Sequence, residues 1–198
     1  MKKLMILLSA LIAILAFYGF LNNHSAQAQT PTFGCKPISL TVRTGQIFYL
    51  TVAVTDTLDL YAWQFDTQYH PETLEWVALI PGNHLRSDGA RHYLMPPKVV
   101  VSGSTTKEAT NAAATRLSKD TGVDGNGVIA YLYFRAIKPK TTGTTVTLND
   151  SMLVDRNALV ISKSLVNSGN CKVIISDSAP VLVQPPVGEL IFMPTIIR

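Results

Sequence analysis

Residues Asp124 to Ala136 read DGNGVIAYLYFRA. Asp-Gly and Asn-Gly tolerate positive φ without steric cost, so the stretch predicts a tight reversal and hairpin, followed by a strand entered at about Val128. Side chains alternate with period two along a strand. Val128, Ala130, Leu132, Phe134 and Ala136 therefore share one face, and Ile129, Tyr131, Tyr133 and Arg135 the other. The first face is core. The second carries two tyrosines and an arginine, more than a solvated face requires.

Outward from this stretch the chain reads almost entirely as short strands. Ile38 to Arg43, Ile47 to Thr55, Leu60 to Tyr69, Leu74 to Ile80, Tyr93 to Pro97 and Val99 to Val101 precede it, with Thr110 to Leu117 just before the turn. Thr144 to Leu148, Leu153 to Val154, Leu159 to Ile161 and Cys171 to Ile175 follow. Phe48, Leu50, Val52 and Val54 predict one buried face. Tyr61, Trp63 and Phe65 oppose Ala62, Gln64 and Asp66 on the next strand. Asn83 to Arg91 reads as a polar loop. Only Thr106 to Thr115 leaves a helical alternative open. Many short strands separated by turns predict an all-β sandwich.

The beginning of the chain has a different composition. Lys2 and Lys3, an apolar run from Leu4 to Leu21 and Ala26-Gln27-Ala28 form the order of a secretory signal peptide, residues 1–28, with the cut expected before Gln29. The run is long enough that an uncleaved membrane anchor stays open, and membrane contact is expected only in that case. The remaining stretch of about 170 residues is one domain's worth and can bury roughly 70% of its unfolded surface. The net charge of +4 falls to about +2 when Lys2 and Lys3 leave, and the other basic residues are scattered, so nucleic acid is not an expected partner. Cys35 and Cys171 stand near the two ends of the domain. In an oxidising compartment they are expected to pair, two buried thiols being the alternative.

Three segments carry a resemblance: LYAWQFDTQYHPETLEWVALIPG (Leu60 to Gly82), AATRLSKDTGVDGNGVIAYLYFRA (Ala113 to Ala136) and TVTLNDSMLVDRNALVI (Thr145 to Ile161). With their Y-x-P-x-x-L, G-V-x-G-x-G and V-D-x-N elements in this order, they resemble a cohesin domain from Ser39 to Ser176, lengthened between Gly82 and Thr110. The resemblance implies a nine-stranded jelly-roll β-sandwich over residues 29–178, secreted or at the cell surface. One sheet would receive a dockerin-like module of another protein. It implies no catalysis and no cofactor. The partner-facing positions fall on Ala62 and Gln64, where better-known members carry asparagine and aspartate. Asp66 and Arg116 are candidates to replace the lost polarity.

The resemblance also answers the question of the second face. The strand from Val128 to Ala136 would belong to the opposite sheet and pair with Ile47 to Thr55, bringing Tyr131 and Tyr133 beside Tyr49. Three tyrosines on a flat sheet suit stacking on the sugar rings of a polysaccharide. The competing reading is that tyrosine favours strands and stabilises cross-strand pairs.

Other chemistry is not supported. His70, His84 and His92 match no metal spacing and read as surface histidines. Asp120 to Asn126 has the oxygen content of a calcium loop but lacks its bidentate glutamate, and reads as a turn. No nucleophile elbow or phosphate loop is present. Residues 179–198 form a Pro185-Pro186 spacer and an apolar tail, GELIFMPTIIR. A structural role in a surface assembly through that tail is the alternative to a binding module.

Overall fold

The computed structural model describes residues 31–103, 105–117, 119–164 and 169–184. The expected signal peptide and most of the expected tail lie outside them. One strand organises the molecule: β3, Ile47–Tyr69, 23 residues long. Its first half buries Phe48, Leu50, Val52 and Val54 and its second half Trp63, Phe65 and Tyr69, as the alternation predicts. Between the halves Asp56 and Asp59 take positive φ, 54° and 56°, so the strand bends without ending.

The bend lets β3 serve two layers. Its first half pairs antiparallel with β1 (Thr32–Lys36) on one side and β8 (Val123–Ala136) on the other, and β8 in turn pairs with β4 (Leu74–Pro81). Its second half lies between β7 (Thr106–Leu117) and β9 (Lys140–Asp155). Strands β5 (Arg91–Met95) and β6 (Lys98–Ser102) extend that layer beyond β7. On its other side, β10 (Val160–Ser164), β11 (Gly169–Ile175) and β2 (Ser39–Val42) extend it beyond β9. Because β3 belongs to both layers, the eleven strands are hydrogen-bonded as one curled sheet. The all-β sandwich expected is the one found. The described strands number eleven rather than nine, partly because β5 and β6 fill the lengthened segment after Gly82.

Between the layers, Phe48 stacks with Phe134, and Phe134 meets Tyr69 and Trp76 edge-on at 5.4 and 5.3 Å. Trp63 stacks on Phe65 at 5.1 Å. Burial and Glu75 push the Tyr69 phenol up to about 12, so it stays neutral. Cys35 on β1 and Cys171 on β11 are joined, with Cα atoms 5.7 Å apart, and so the expected disulfide ties the two layers together. The two turns expected from Y-x-P-x-x-L and V-D-x-N are built by their own residues. His70 O accepts from the Thr73 and Leu74 amides. Asp155 Oδ1 accepts from Asn157 and Leu159 at 2.8 Å.

Four local expectations are corrected. First, Asp124 to Gly127 makes no hairpin; it lies inside β8, paired across the bend of β3. Gly125 has φ 88°, Asp124 Oδ1 accepts from the Asp59 amide, and Asn126 Oδ1 accepts from the Asp56 amide, each at 2.7 Å. Those residues satisfy a bulge, and the same bonds occupy one oxygen of Asp124 and the amide oxygen of Asn126 in the calcium-like segment. Second, Ile129 is buried beside Ala130, because the register slips there by one residue and reverses the phase. Third, Asn83 to Arg91 holds a 3₁₀ turn at His84–Arg86 and buries His84, Leu85 and Ala90. Fourth, the helical alternative at Thr106 to Thr115 is excluded by strand β7. A further strand, β1, sits where only an irregular start was expected.

Candidate binding faces

The second half of β3 points Ala62, Gln64 and Asp66 out of the sandwich while Trp63 and Phe65 point in. The register of the neighbours then dictates what surrounds them. Across the layer, Tyr93, Thr115, Ala62 and Val154 form one row, and Met95, Ala113, Gln64 and Met152 the next. Side chains in one row of an antiparallel sheet stand about 5 Å apart. The result is a patch of small side chains (Ala62, Ala113, Thr115) and flexible ones (Met95, Met152) with Gln64 as its central amide. Tyr93 (59% exposed) and Met95 (40% exposed) rim it on β5, and Val160 (51% exposed) on β10. Charge is kept to one corner. Asp66 Oδ1 accepts from the Asn111 amide at 2.6 Å, and Asn111, at φ 60°, is a bulge in β7 held by that bond. Burial raises the Asp66 pKa above its ordinary value. The amide bond opposes this, and Glu108 and Asp150 add to it.

Sequence reasoning named Ala62, Gln64 and Asp66 on this face and the structure brings them together there. It missed Tyr93, Met95, Ala113, Met152 and Val154, which reach the face through pairing register; the alternation within each strand was visible, but the register was not.

Arg116 is a correction. It follows Ala112 and Ala114 in the inward phase of β7, and its side chain is fully buried. One guanidinium nitrogen donates to Leu85 O and another to Asp88 Oδ2 at 2.8 Å. That bond holds the exposed Asp88 carboxyl below its usual pKa. Arg116 therefore supports the face from beneath and is not presented to a partner. Next to it, His84 is buried against Gly127, where an added Cβ would stand 2.2 Å from the imidazole, and its Nε2 is 3.3 Å from Thr57 Oγ1. Burial, then Arg116, lowers the His84 pKa. The expectation of a surface histidine fails at this position, although His70 is exposed and bonded to Thr105 O. Among the described residues, no group of three His, Cys, Asp or Glu side chains is arranged to hold a metal ion.

The outer side of the other layer holds the tyrosines. Tyr49 pairs with Tyr133, and its ring lies 5.4 Å from both Tyr131 and Tyr133. The cluster is brought together as expected. Its rings tilt into one another instead of lying flat and parallel to the sheet: Tyr49 meets Tyr131 at 90° and Tyr133 at 47°, and Tyr133 is 6% exposed. Burial and Tyr131 raise the Tyr49 pKa. Arg135, which closes this face, forms a half-exposed ion pair with Glu75 at 3.1 Å.

With this geometry in hand, comparison with known proteins finds a family model described as "Cohesin domain" matching residues 38–173. Among solved structures, the chain is similar to a non-cellulosomal cohesin from Archaeoglobus fulgidus (16% identity, TM-score 0.52, 74% of this chain and 91% of that one). It is similar to CaCohA2 from Clostridium acetobutylicum (16% identity, TM-score 0.55, 79% and 97%). It is also similar to a chain in the Coh-OlpA-Doc918 cohesin–dockerin complex of Clostridium thermocellum (14% identity, TM-score 0.53, 74% and 99%). No curated protein matches the chain closely enough to count as a relative.

Proposed function

The chain belongs to the cohesin family, whose members are non-catalytic protein-interaction modules, and from that premise we propose that it receives a dockerin-like module of another protein on the face centred on Gln64. The observation that carries this reading is the composition of that face: two cross-strand rows of small and flexible side chains, rimmed by Tyr93 and Met95, with one central amide. Such a face lets a partner approach the sheet closely, with desolvated apolar contact around a single hydrogen-bonding centre. The chemistry differs from the asparagine and aspartate pattern, so the partner it fits is one with apolar residues where others place complementary polar groups. An extracellular setting follows from the same reading and is supported by the Cys35–Cys171 disulfide. We place the signal peptide at residues 1–28, the module at 29–178 and the spacer and tail at 179–198, the start of which, Ala179 to Gln184, packs back on the module.

The test is capture of secreted proteins bearing dockerin modules, with the purified exported chain as bait. Gln64→Arg should abolish capture with folding intact. Failure of the unaltered chain to capture any such protein overturns the proposal. Polysaccharide binding at Tyr49, Tyr131 and Tyr133 is the second reading, favoured by the convergence of two rings at 5.4 Å from that of Tyr49. Retention on insoluble polysaccharide that is lost in Tyr131→Ala would support it.

A further inference from the structure

The Y-x-P-x-x-L turn, Tyr69 to Leu74, takes no part in either binding reading. Its ends are anchored in the core, with Tyr69 3% exposed and Leu74 fully buried, and Pro71 fixes the backbone between them. The three positions that remain, His70, Glu72 and Thr73, line one cleft. Its other wall is the start of β9. There β9 runs from Lys140 to Thr144 while β11 advances only from Val173 to Ile175, a bulge that Gly143 allows at φ 86°. Turn and bulge together frame a space of about 200 Å³. Its rim carries the exposed Glu72, Lys140 and Thr145, and its floor the buried Thr73 and Thr144.

The floor is polar and its bonding capacity is not used up. Thr73 Oγ1 lies 3.1 Å from both His70 O and Thr144 Oγ1. A hydroxyl has one hydrogen, so whichever oxygen receives that of Thr73, Thr144 keeps a free lone pair or a free O–H. By turning about its own C–O bond, Thr144 can therefore give or take a further hydrogen bond. At the rim, His70 Nδ1 is 3.2 Å from Thr105 O. A carbonyl only accepts, so Nδ1 carries the hydrogen, and Nε2 of the neutral ring is an acceptor. Neither Glu72 nor Lys140 is in an ion pair among the described residues.

These groups select by chemistry. One carboxylate and one ammonium give the cleft no net charge beside a neutral His70, so an anion is opposed by Glu72 and a cation by Lys140. Among the described residues, no Phe, Tyr or Trp lines the space, and a flat apolar molecule finds no platform. The ligand that suits is small, neutral and rich in hydroxyls, each of which needs a donor and an acceptor. A space of about 200 Å³ is smaller than the roughly 300–1,000 Å³ of pockets for drug-sized ligands and admits a single ring. We propose that the cleft binds one neutral sugar ring, with a hydroxyl on Thr144 and neighbouring hydroxyls between Glu72 and Lys140. A free monosaccharide and the terminal unit of a glycan present the same chemistry. The cleft shares no residue with the Gln64 patch or the tyrosine cluster, so the inference is independent of both readings made there.

The experiment follows the backbone amide signals of the full exported chain by NMR as methyl glycosides of glucose, galactose, mannose and xylose are added in turn. Glycine and inorganic phosphate serve as controls. At least one glycoside should shift the Thr73, Thr144 and Thr145 amides saturably, with a millimolar Kd and no shift at Tyr131. Thr144→Val preserves the shape of the side chain and should weaken that binding by about tenfold. Glu72→Gln, on the exposed rim, should weaken it several-fold with the melting temperature unchanged. A disaccharide ending in the responding sugar and shifting the same amides identifies the end of a glycan as the ligand, whereas response to the methyl glycoside alone identifies the free sugar. The absence of a saturable shift with every glycoside overturns the proposal, as do equal shifts with glycine or phosphate. Shifts at Tyr131 in place of Thr144 also overturn it. So does unchanged affinity in Thr144→Val, or in Glu72→Gln if the first variant does not fold.

Discussion

The two outer faces are made by one strand and differ in kind. The first half of β3 contributes Tyr49 to a face of large rings leaning on each other, beside an edge already occupied by residues 182 to 184. The second half contributes Ala62 and Gln64 to a face of small side chains whose larger members, Tyr93 and Met95, stand at the rim and are exposed. The aromatic face satisfies itself internally, whereas the small-residue face leaves its contacts to be made. Aromatic content alone thus says little about which face has contacts left to make. The informative features are what the register places side by side and how much of it is already covered.

The largest expected effect breaks the frame that holds the two faces back to back. The disulfide joins β1 of one layer to β11 of the other across a sequence separation of 136. In the chain-entropy account such a closure is worth ~4–5 kcal/mol. The double replacement Cys35→Ser, Cys171→Ser should lower the melting temperature by about 10–20 °C for a domain of this size, followed by circular dichroism. A fall of only a degree or two would mean that the layers are held by their core alone.

The second prediction separates the faces by function. Ala113→Arg places a long cation in the row that contains Met95, Gln64 and Met152. Loss of a well-packed interface centre costs ~2 kcal/mol or more, roughly thirtyfold in affinity. Titration of a captured dockerin-bearing partner should show that loss in Ala113→Arg and no change in Tyr131→Ala, with melting temperatures of both within a few degrees of the unaltered chain. The reverse pattern would assign binding to the tyrosine face.

How much of this was legible depends on distance along the chain. Alternation located both halves of β3 and its buried set. The cysteine positions predicted the bridge, and the pairing of β8 with β3 put the three tyrosines together. The Asp-Gly and Asn-Gly pairs misled because tolerance of positive φ serves a reversal and a bulge equally. What decides between them is the bend at Asp56 and Asp59, about 65 residues earlier, whose amides the Asp124 and Asn126 side chains receive. Arg116 misled through its charge. The strand β7 turns it inward with Ala112 and Ala114, but a buried guanidinium requires acceptors, and these come from Leu85 and Asp88 in a segment that reads as polar loop. Neither partner is visible until the chain is folded.

A smaller effect tests the seam where β3 passes from one layer to the other. His84 is buried there beside Arg116, which is paired with Asp88, and its pKa in the fold lies below the ordinary 6.5. Below pH 6.5 the unfolded chain therefore binds more protons at this residue than the folded one, and stability falls as pH drops through 6.5 toward the folded value. Asp66 acts with opposite sign: its raised pKa makes the fold the better proton binder just above pH 3.8, which adds stability on further acidification. Denaturant melts should show stability declining from pH 7 to 5 in the unaltered chain and a flatter profile in His84→Gln. An unchanged slope in His84→Gln would place the loss elsewhere. Asp66→Asn should leave the decline between pH 7 and 5 in place and alter the profile only in more acid solution.

The smallest expected effect concerns the fastening at the tyrosine edge. Gln184→Ala removes both bonds to Tyr49 and leaves the Gln46 pair with Leu182 intact. Intramolecular hydrogen bonds contribute ~1 kcal/mol each at most when the freed groups can return to water, as those on an outer edge can. The melting temperature should fall by about 2–4 °C. Hydrogen exchange at the Tyr49 amide should accelerate, because its acceptor is the lost side chain, while the Leu50 and Val52 amides inside the ladder keep their protection. Partner capture at the Gln64 face should be unaffected, since the two edges of β3 that matter are carried by its opposite halves. If Gln184→Ala also weakens capture, the bend at Asp56 and Asp59 transmits strain between the layers and the faces are coupled. If it leaves Tyr49 exchange unchanged, the amide pair is not what holds the segment at this edge, and Leu182 packing is the remaining contact to test by Leu182→Ala.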